Sequence, residues 1–189
     1  MNISDRIRRC SLACLVTLGL ALTACGDGDE AEAAPEPSAG DAAGEEDAVE
    51  VSLIDFAFVG LPESVTSGTR VTVVNDAESE LHELVAFHLP DDEDRSVAEL
   101  TELSPGELVG ALGEPTTVLL AEPGGQQIPA VGDGTLTEPG RYAIMCFIPT
   151  GVEPEEYLRV AAETEEGPPQ VEGGPPHFVQ GMYAELTVE

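Results

Sequence analysis

From Val49 onward, apolar and polar positions alternate in short blocks that read as strands. Over residues 49–58, Ile54, Phe56 and Phe58 share one face while Val51 and Leu53 lie on the other, which predicts one largely buried strand. Ser67-Gly68 turns the chain into residues 69–75, rich in β-branched side chains, and 81–89 reads as a third strand. Further strands are expected at 116–121, 135–136, 141–147 (entered through Pro139-Gly140) and 182–188. Two helices interrupt them. Ser96 with Glu99 forms a capping box that opens a short helix over 96–103, which Pro105-Gly106 ends. Residues 154–163 place Tyr157, Leu158 and Ala161 at helical spacing behind Pro154 in the first helical position. Many short strands, Gly/Pro turns and few helices predict an all-β fold, an antiparallel β-sandwich.

The chain before Val49 has a different character. Arg6, Arg8 and Arg9 precede an apolar run from Ser11 to about Ala21, which ends in Leu22-Thr23-Ala24-Cys25. A basic flank, a short apolar core and small residues make an export signal over residues 1–24. The run falls short of the roughly 20 residues that a membrane span needs. Its last four residues resemble a bacterial lipobox, which makes Cys25 the lipid attachment site; an uncleaved anchor is the alternative. The Arg8-Arg9 pair leaves the export route open. Residues 25–48 are Asp, Glu, Ala, Gly and Pro with hardly a bulky apolar side chain, an acidic flexible tether. Residues 49–189 are one domain's worth of chain.

Charge and cysteine count narrow the function. The formal net charge is −30, with no Lys; once residues 1–24 are removed, four arginines face 36 acids. Nucleic acid and anionic headgroups would repel such a surface, whereas high-salt solubility or a basic partner would suit it. Cys10 and Cys14 fall within the expected signal, and Cys25 is taken by the lipid if the lipobox resemblance holds. Cys146 is then a single thiol in an oxidising compartment with no disulfide partner. It must be either a small buried hydrophobe or a coordinated ligand.

The three histidines allow an argument close to elimination. His177 stands before Met182 in a His-x4-Met spacing, and His82 begins the third strand. His88 shares a strand face with His82 but lies roughly 20 Å along it, too far to share one ion. Met145 neighbours Cys146 in a strand and so points to the opposite face. That leaves His82, Cys146, His177 and Met182: two imidazoles, a thiolate and a thioether, the set that single-copper electron-transfer sites use. Zinc accepts Cys and His but is poorly served by Met. The acidic run Asp91-Asp92-Glu93-Asp94 lacks the spaced ligands and turn glycine of a calcium loop and reads as a solvated turn.

The ordered residues Val73-Val74-Asn75…His82-Glu83, Pro139-Gly140-Arg141-Tyr142…Cys146-Phe147-Ile148-Pro149 and His177…Gly181-Met182 resemble the cupredoxins, the plastocyanin-like blue copper proteins. The resemblance implies a Greek-key β-sandwich of about eight strands, with one type 1 copper ion at one end. It also implies that Asn75 lies beside His82 and braces the Cys-bearing loop. The chain departs from the plastocyanin pattern in the 30 residues between Cys146 and His177, 147–176, which include the expected helix. Closing a longer loop adds little entropy, and Pro149-Thr150-Gly151 and Gly173-Gly174-Pro175-Pro176 have the turn chemistry to bring its ends together. The insert is expected to form a lid or docking surface near the copper.

These residues support an electron carrier rather than an enzyme: a monomer, lipid-anchored on the outer face of the cytoplasmic membrane, exchanging electrons with a redox partner protein, for which a basic surface would suit the charge. Two alternatives stand beside it, a copper-capture or delivery protein without a redox role and a metal-free cupredoxin-fold binding module. A multicopper oxidase needs several further histidines, and only His88 is left.

Overall fold

The computed structural model describes residues 47–164 and 167–189, which fall in one compact unit. The segment expected to be an export signal, the lipid attachment site expected at Cys25 and nearly all of the expected tether lie outside the described residues. The expected all-β sandwich is what the chain forms. Among the described residues, ten strands make two sheets, with order β2-β1-β4-β8 in one and β3-β10-β9-β5-β6-β7 in the other. In the first sheet, β1 (Ala48–Ile54) pairs antiparallel with β2 (Ala57–Val59), parallel with β4 (Thr69–Asn75), and β4 pairs antiparallel with β8 (Thr135–Leu136). In the second, β9 (Gly140–Met145) lies between β5 (His82–His88) and β10 (Tyr183–Val188). Strand β6 (Thr117–Ala121) continues from β5 to the edge strand β7 (Gln127–Val131), and β3 (Ser64–Val65) adds to β10. The β1–β4 and β3–β10 pairings are parallel, so the sandwich is mixed rather than wholly antiparallel.

Burial follows from the residue pattern. Along β4, Thr69, Val71, Val73 and Asn75 point inward and their neighbours are half exposed, the period-two alternation of a strand with one wet face. Val51, Leu53, Val71 and Val73 meet Leu84, Ala86, Leu119, Tyr142, Ile144 and Leu186 between the sheets. Strand β5 is buried on both faces. Its outward residues Val85 and Phe87, with Ala143 and Met145 of β9, form a second core under two short helices, α1 (Val97–Leu100) and α2 (Pro105–Leu112). That explains why His82–His88 reads as a nearly continuous apolar run. Gly134 has φ 96° and lies against the Val71 carbonyl, where a Cβ would overlap the backbone, so only glycine lets β4 and the turn before β8 approach.

Two local expectations are corrected, and one strand is added. Residues 49–58 are a hairpin rather than one strand: the chain turns at Asp55 and Phe56, and Phe56 is the one described non-glycine residue with positive φ, 62°. Apolar alternation continues through the turn because Phe56 and Phe58 pack on the inner core, so periodicity did not mark the break. Pro105 starts a helix instead of ending one. Proline at the first helical position loses no hydrogen bond, and Glu107 reaches back to accept from the Ser104 backbone N–H at 3.2 Å. Strand β7 has no sequence signal because Ile128 and Val131 are exposed and Pro129 interrupts it, which an edge position tolerates. The α1 capping box is present as expected, with the Ser96 hydroxyl accepting from the Glu99 N–H. Helix α3 spans Pro154–Glu163 and packs Tyr157, Leu158 and Ala161 on the inner core.

Candidate metal centre

His82, Cys146 and His177 meet at one end of the sandwich. One donor atom from each, two imidazole nitrogens and the thiol sulfur, lies within 4.8 Å of the others, and all three side chains are fully buried. Different elements deliver them. His82 opens β5 and is paired opposite Ala121 of β6. Cys146 follows the last residue of β9, and His177 opens a 3₁₀ turn, His177–Gln180, that leads into β10. The two imidazoles face each other through Nδ1 at 3.1 Å, and His177 Nδ1 lies 3.4 Å from the Cys146 sulfur.

Main-chain bonds hold the Cys and His segments together across their 30-residue separation. The Phe178 N–H donates to the Cys146 carbonyl at 2.9 Å and the His177 N–H to the Ile148 carbonyl at 3.0 Å. Beyond them, residues 149–150 and 174–176 form a neck: Pro149 bridges Pro176, Thr150 N–H donates to the Pro175 carbonyl, and Gly174 N–H donates to the Thr150 carbonyl. Gly173 lies against the Pro149 ring, where a Cβ would collide. The turn-rich ends of the insert therefore return to one place. Met182 is fully buried in the same inner core as Cys146. Its N–H donates to the His177 carbonyl at 3.1 Å and its carbonyl accepts from the Cys146 N–H at 3.2 Å, which fixes it between the two segments. Met145 lies in the outer core across the sheet, and His88 is remote, at the far end of β5 against Tyr142 and the Pro139 carbonyl.

The side chain of Asn75 is buried beside the centre but bonds differently from the expectation. Its Nδ2 donates to the Glu80 carbonyl at 2.9 Å and the Ala121 carbonyl at 2.8 Å, and its Oδ1 accepts from Ala77 N–H at 2.9 Å. These bonds shape the turn over residues 76–81 that leads to His82. The Cys-bearing loop takes its side-chain support from two glutamates instead. Glu83 Oε1 accepts from Phe147 N–H at 3.0 Å, and Glu80 Oε2 accepts from Gly151 N–H at 3.1 Å. The Glu83 N–H also points at the Cys146 sulfur, at 3.5 Å.

Burial sets the charge state. Desolvation, with the Glu83 carboxyl next, pushes the Cys146 thiol well above its ordinary value. Desolvation and then His177 push His82 down to about 4, and desolvation lowers His177 against the pull of Glu80 and Asp55. Without metal the centre is thus a neutral thiol and two neutral imidazoles. Desolvation lifts Glu83 to about 7 although Phe147 N–H opposes it, and Tyr157 is raised by desolvation and by Glu83 and Cys146. Helix α3 of the insert packs Tyr157 into the same inner core as Cys146.

The cluster suits a single copper ion: one soft sulfur and two imidazole nitrogens converge on a dry point, where a cation would relieve the contact of two inward nitrogens. Sequence reasoning missed Asp55, Phe56, Glu80, Glu83 and Tyr157. Glu83 had a signal, a lone acid after His82 in an otherwise apolar strand. Asp55 and Glu80 had none among 37 acids.

No family model matches the sequence, and no curated protein does. Among solved structures the chain is similar to a dithionite-reduced auracyanin from the photosynthetic bacterium Roseiflexus castenholzii, at 19% identity over 77% of this chain and 99% of that one, TM-score 0.44. It is similar to auracyanin B at 18% identity over 76% and 88% of the two chains, TM-score 0.41. It is also similar to auracyanin A, a "blue" copper protein from the green thermophilic photosynthetic bacterium Chloroflexus aurantiacus, at 15% identity over 75% and 99%, TM-score 0.39. The chemistry proposed for this chain is carried by its own side chains rather than by that likeness.

Proposed function

We propose that the protein binds one type 1 copper ion and carries electrons outside the cytoplasm, held at the membrane by a lipid on Cys25. The observation that supports this most is the convergence of the Cys146 sulfur with two imidazole nitrogens in a fully buried pocket. His82 and His177 would hold the ion through imidazole nitrogens and Cys146 through its thiolate, with the Met182 thioether as a fourth donor. Bound copper supplies one-electron exchange between its two oxidation states. Burial of all three donors suits electron exchange without a substrate at the metal, hence a carrier and not an enzyme. No helix among the described residues is long and apolar enough to cross a membrane.

Charge around the centre points to the partner. Asp55, Asp76, Glu78, Glu153 and Glu172 are exposed on the turns that enclose it, and those turns carry no arginine. A basic redox protein fits this end of a monomer, and nucleic acid does not. The buried His177 gives the capture or delivery of copper without redox turnover as a second reading. Adding Cu(II) to the purified chain separates the two. An intense thiolate-to-copper absorption band with narrow EPR hyperfine splitting, absent in Cys146→Ser, is the expected result. A colourless complex with Cu(I) alone favours the second reading, and no stoichiometric copper binding overturns both.

A further inference from the structure

The buried outer nitrogens of the two histidines have no hydrogen-bond partner among the described residues, although their rings are fully buried. A buried ring N–H without an acceptor loses its hydration with nothing in exchange. Each outer nitrogen is faced by one carboxylate. Asp55 Oδ1 lies 3.8 Å from His82 Nε2 and Glu80 Oε2 lies 3.5 Å from His177 Nε2, both a side-chain adjustment short of a hydrogen bond. The two acids come from separate turns, β1–β2 and 76–81.

Both turns are held in place. Asn75 fixes the Glu80 backbone and Gly151 N–H holds the Glu80 carboxylate. Asp55 sits beside Phe56, whose ring stands edge-on to the His177 ring at 5.1 Å between centroids. A non-glycine residue at φ 62° is strained, and here the strain brings Asp55 and Phe56 together over the two imidazoles.

We propose that Asp55 and Glu80 are positioning residues for His82 and His177, each holding the Nε2–H of one ring so that both Nδ1 lone pairs face the metal point. The competing arrangement is plain from the 3.1 Å contact between the Nδ1 atoms. Left alone, one ring would carry its proton on Nδ1 and donate to the other, closing the site with a hydrogen bond. A carboxylate behind each ring holds both protons outside and leaves two unprotonated nitrogens for a cation. The same arrangement has a consequence that rests on the copper reading. Negative charge transmitted through both imidazoles stabilises Cu(II) over Cu(I) and lowers the reduction potential. Glu80 is the stronger contributor, since its side chain is 18% exposed and that of Asp55 59%.

The test is long-range ¹⁵N NMR of the metal-free full chain at neutral pH, which reads the tautomer of each ring. Both rings are expected as Nε2–H in the wild type. Asp55→Ala moves His82, and Glu80→Ala moves His177, towards Nδ1–H, whereas Asp55→Asn and Glu80→Gln keep an acceptor and the wild-type tautomers. Backbone amide spectra report that each variant is folded. In copper-loaded protein the Asn and Gln variants raise the reduction potential, by more for Glu80→Gln than for Asp55→Asn. An Nδ1–H ring in the wild type, or alanine variants with unchanged tautomers, overturns the proposal. If both rings keep Nε2–H and move as stated but copper does not bind, the copper reading fails while the positioning role stands.

Discussion

Replacing Asn75 with alanine tests how the centre is built without touching a donor atom. The residue is buried, and its amide makes three hydrogen bonds, to the Glu80 and Ala121 carbonyls and from the Ala77 N–H. A net contribution of about 1 kcal/mol per bond gives about 3 kcal/mol for the set. The Ala77 N–H loses this acceptor and the Ala121 carbonyl this donor, both in a buried setting, which pushes the loss upward rather than down. Total stabilities of single domains run about 5–15 kcal/mol, so the variant should remain folded with a much lower urea midpoint. The assay is urea unfolding of the metal-free protein, followed by circular dichroism. Asn75→Asp is the control. It can still accept from Ala77 N–H but donates to neither carbonyl, so it should lose at least two thirds as much as alanine. A loss below about 1 kcal/mol for Asn75→Ala, or wild-type stability for Asn75→Asp, would refute the claim that these bonds hold the turn before His82.

Other outcomes follow from the same packing. Ser96→Ala removes the acceptor of the Glu99 N–H and should lower stability by about 1 kcal/mol with no change in the copper spectrum, because α1 is on the outer core; a spectral change would place α1 in contact with the centre. Glu83→Ala leaves the Phe147 N–H without its acceptor and should cost about 1–3 kcal/mol by urea midpoint, whereas Glu83→Gln retains one and should lose less; equal losses would deny the bond its role. Arg95 holds the Glu93 carboxyl down to about 2, below the ordinary carboxylate value near 4.3. The stabilisation is therefore complete above that value and is lost as pH falls through the folded one. The stability gap between wild type and Arg95→Gln should shrink between about pH 4.3 and 2, and a gap constant across that window would exclude the ion pair as its cause.

The fold was legible where apolar spacing and caps carry it, as in β4, β5 and α3. It was not legible where tertiary contact replaces pattern. Phe56 packs like a strand residue from a turn, and Pro129 lies in an edge strand that needs no apolar face. At the centre, His82, Cys146 and His177 could be singled out because each is scarce in this chain. The acids around them could not, because Asp55, Glu80 and Glu83 are three among 37 and only their distances set them apart. Asn75 shows the limit of resemblance. Its position beside the centre was implied, yet its bonds go to the turn before His82, and Glu80 and Glu83 take up the bracing of the Cys loop.

The neck formed by residues 149–150 and 174–176 makes the geometry of the centre independent of the length of chain beyond it. Bonds on the metal side of the neck, Phe178 to Cys146 and His177 to Ile148, set the spacing of the two ligands, and the Thr150–Pro175 and Gly174–Thr150 bonds close it. Chain added outside the neck has only to close a slightly longer loop, at a few tenths of a kcal/mol for a handful of residues. Six Gly/Ser residues placed after Pro168 should therefore leave copper absorption and affinity unchanged. Gly173→Ala should act oppositely, since its Cβ collides with the Pro149 ring and pushes the two segments apart. Its copper site should be looser, with a shifted charge-transfer band and weaker metal retention against a chelator. The insertion disturbing the spectrum while Gly173→Ala leaves it intact would mean that the insert, rather than the neck, positions His177.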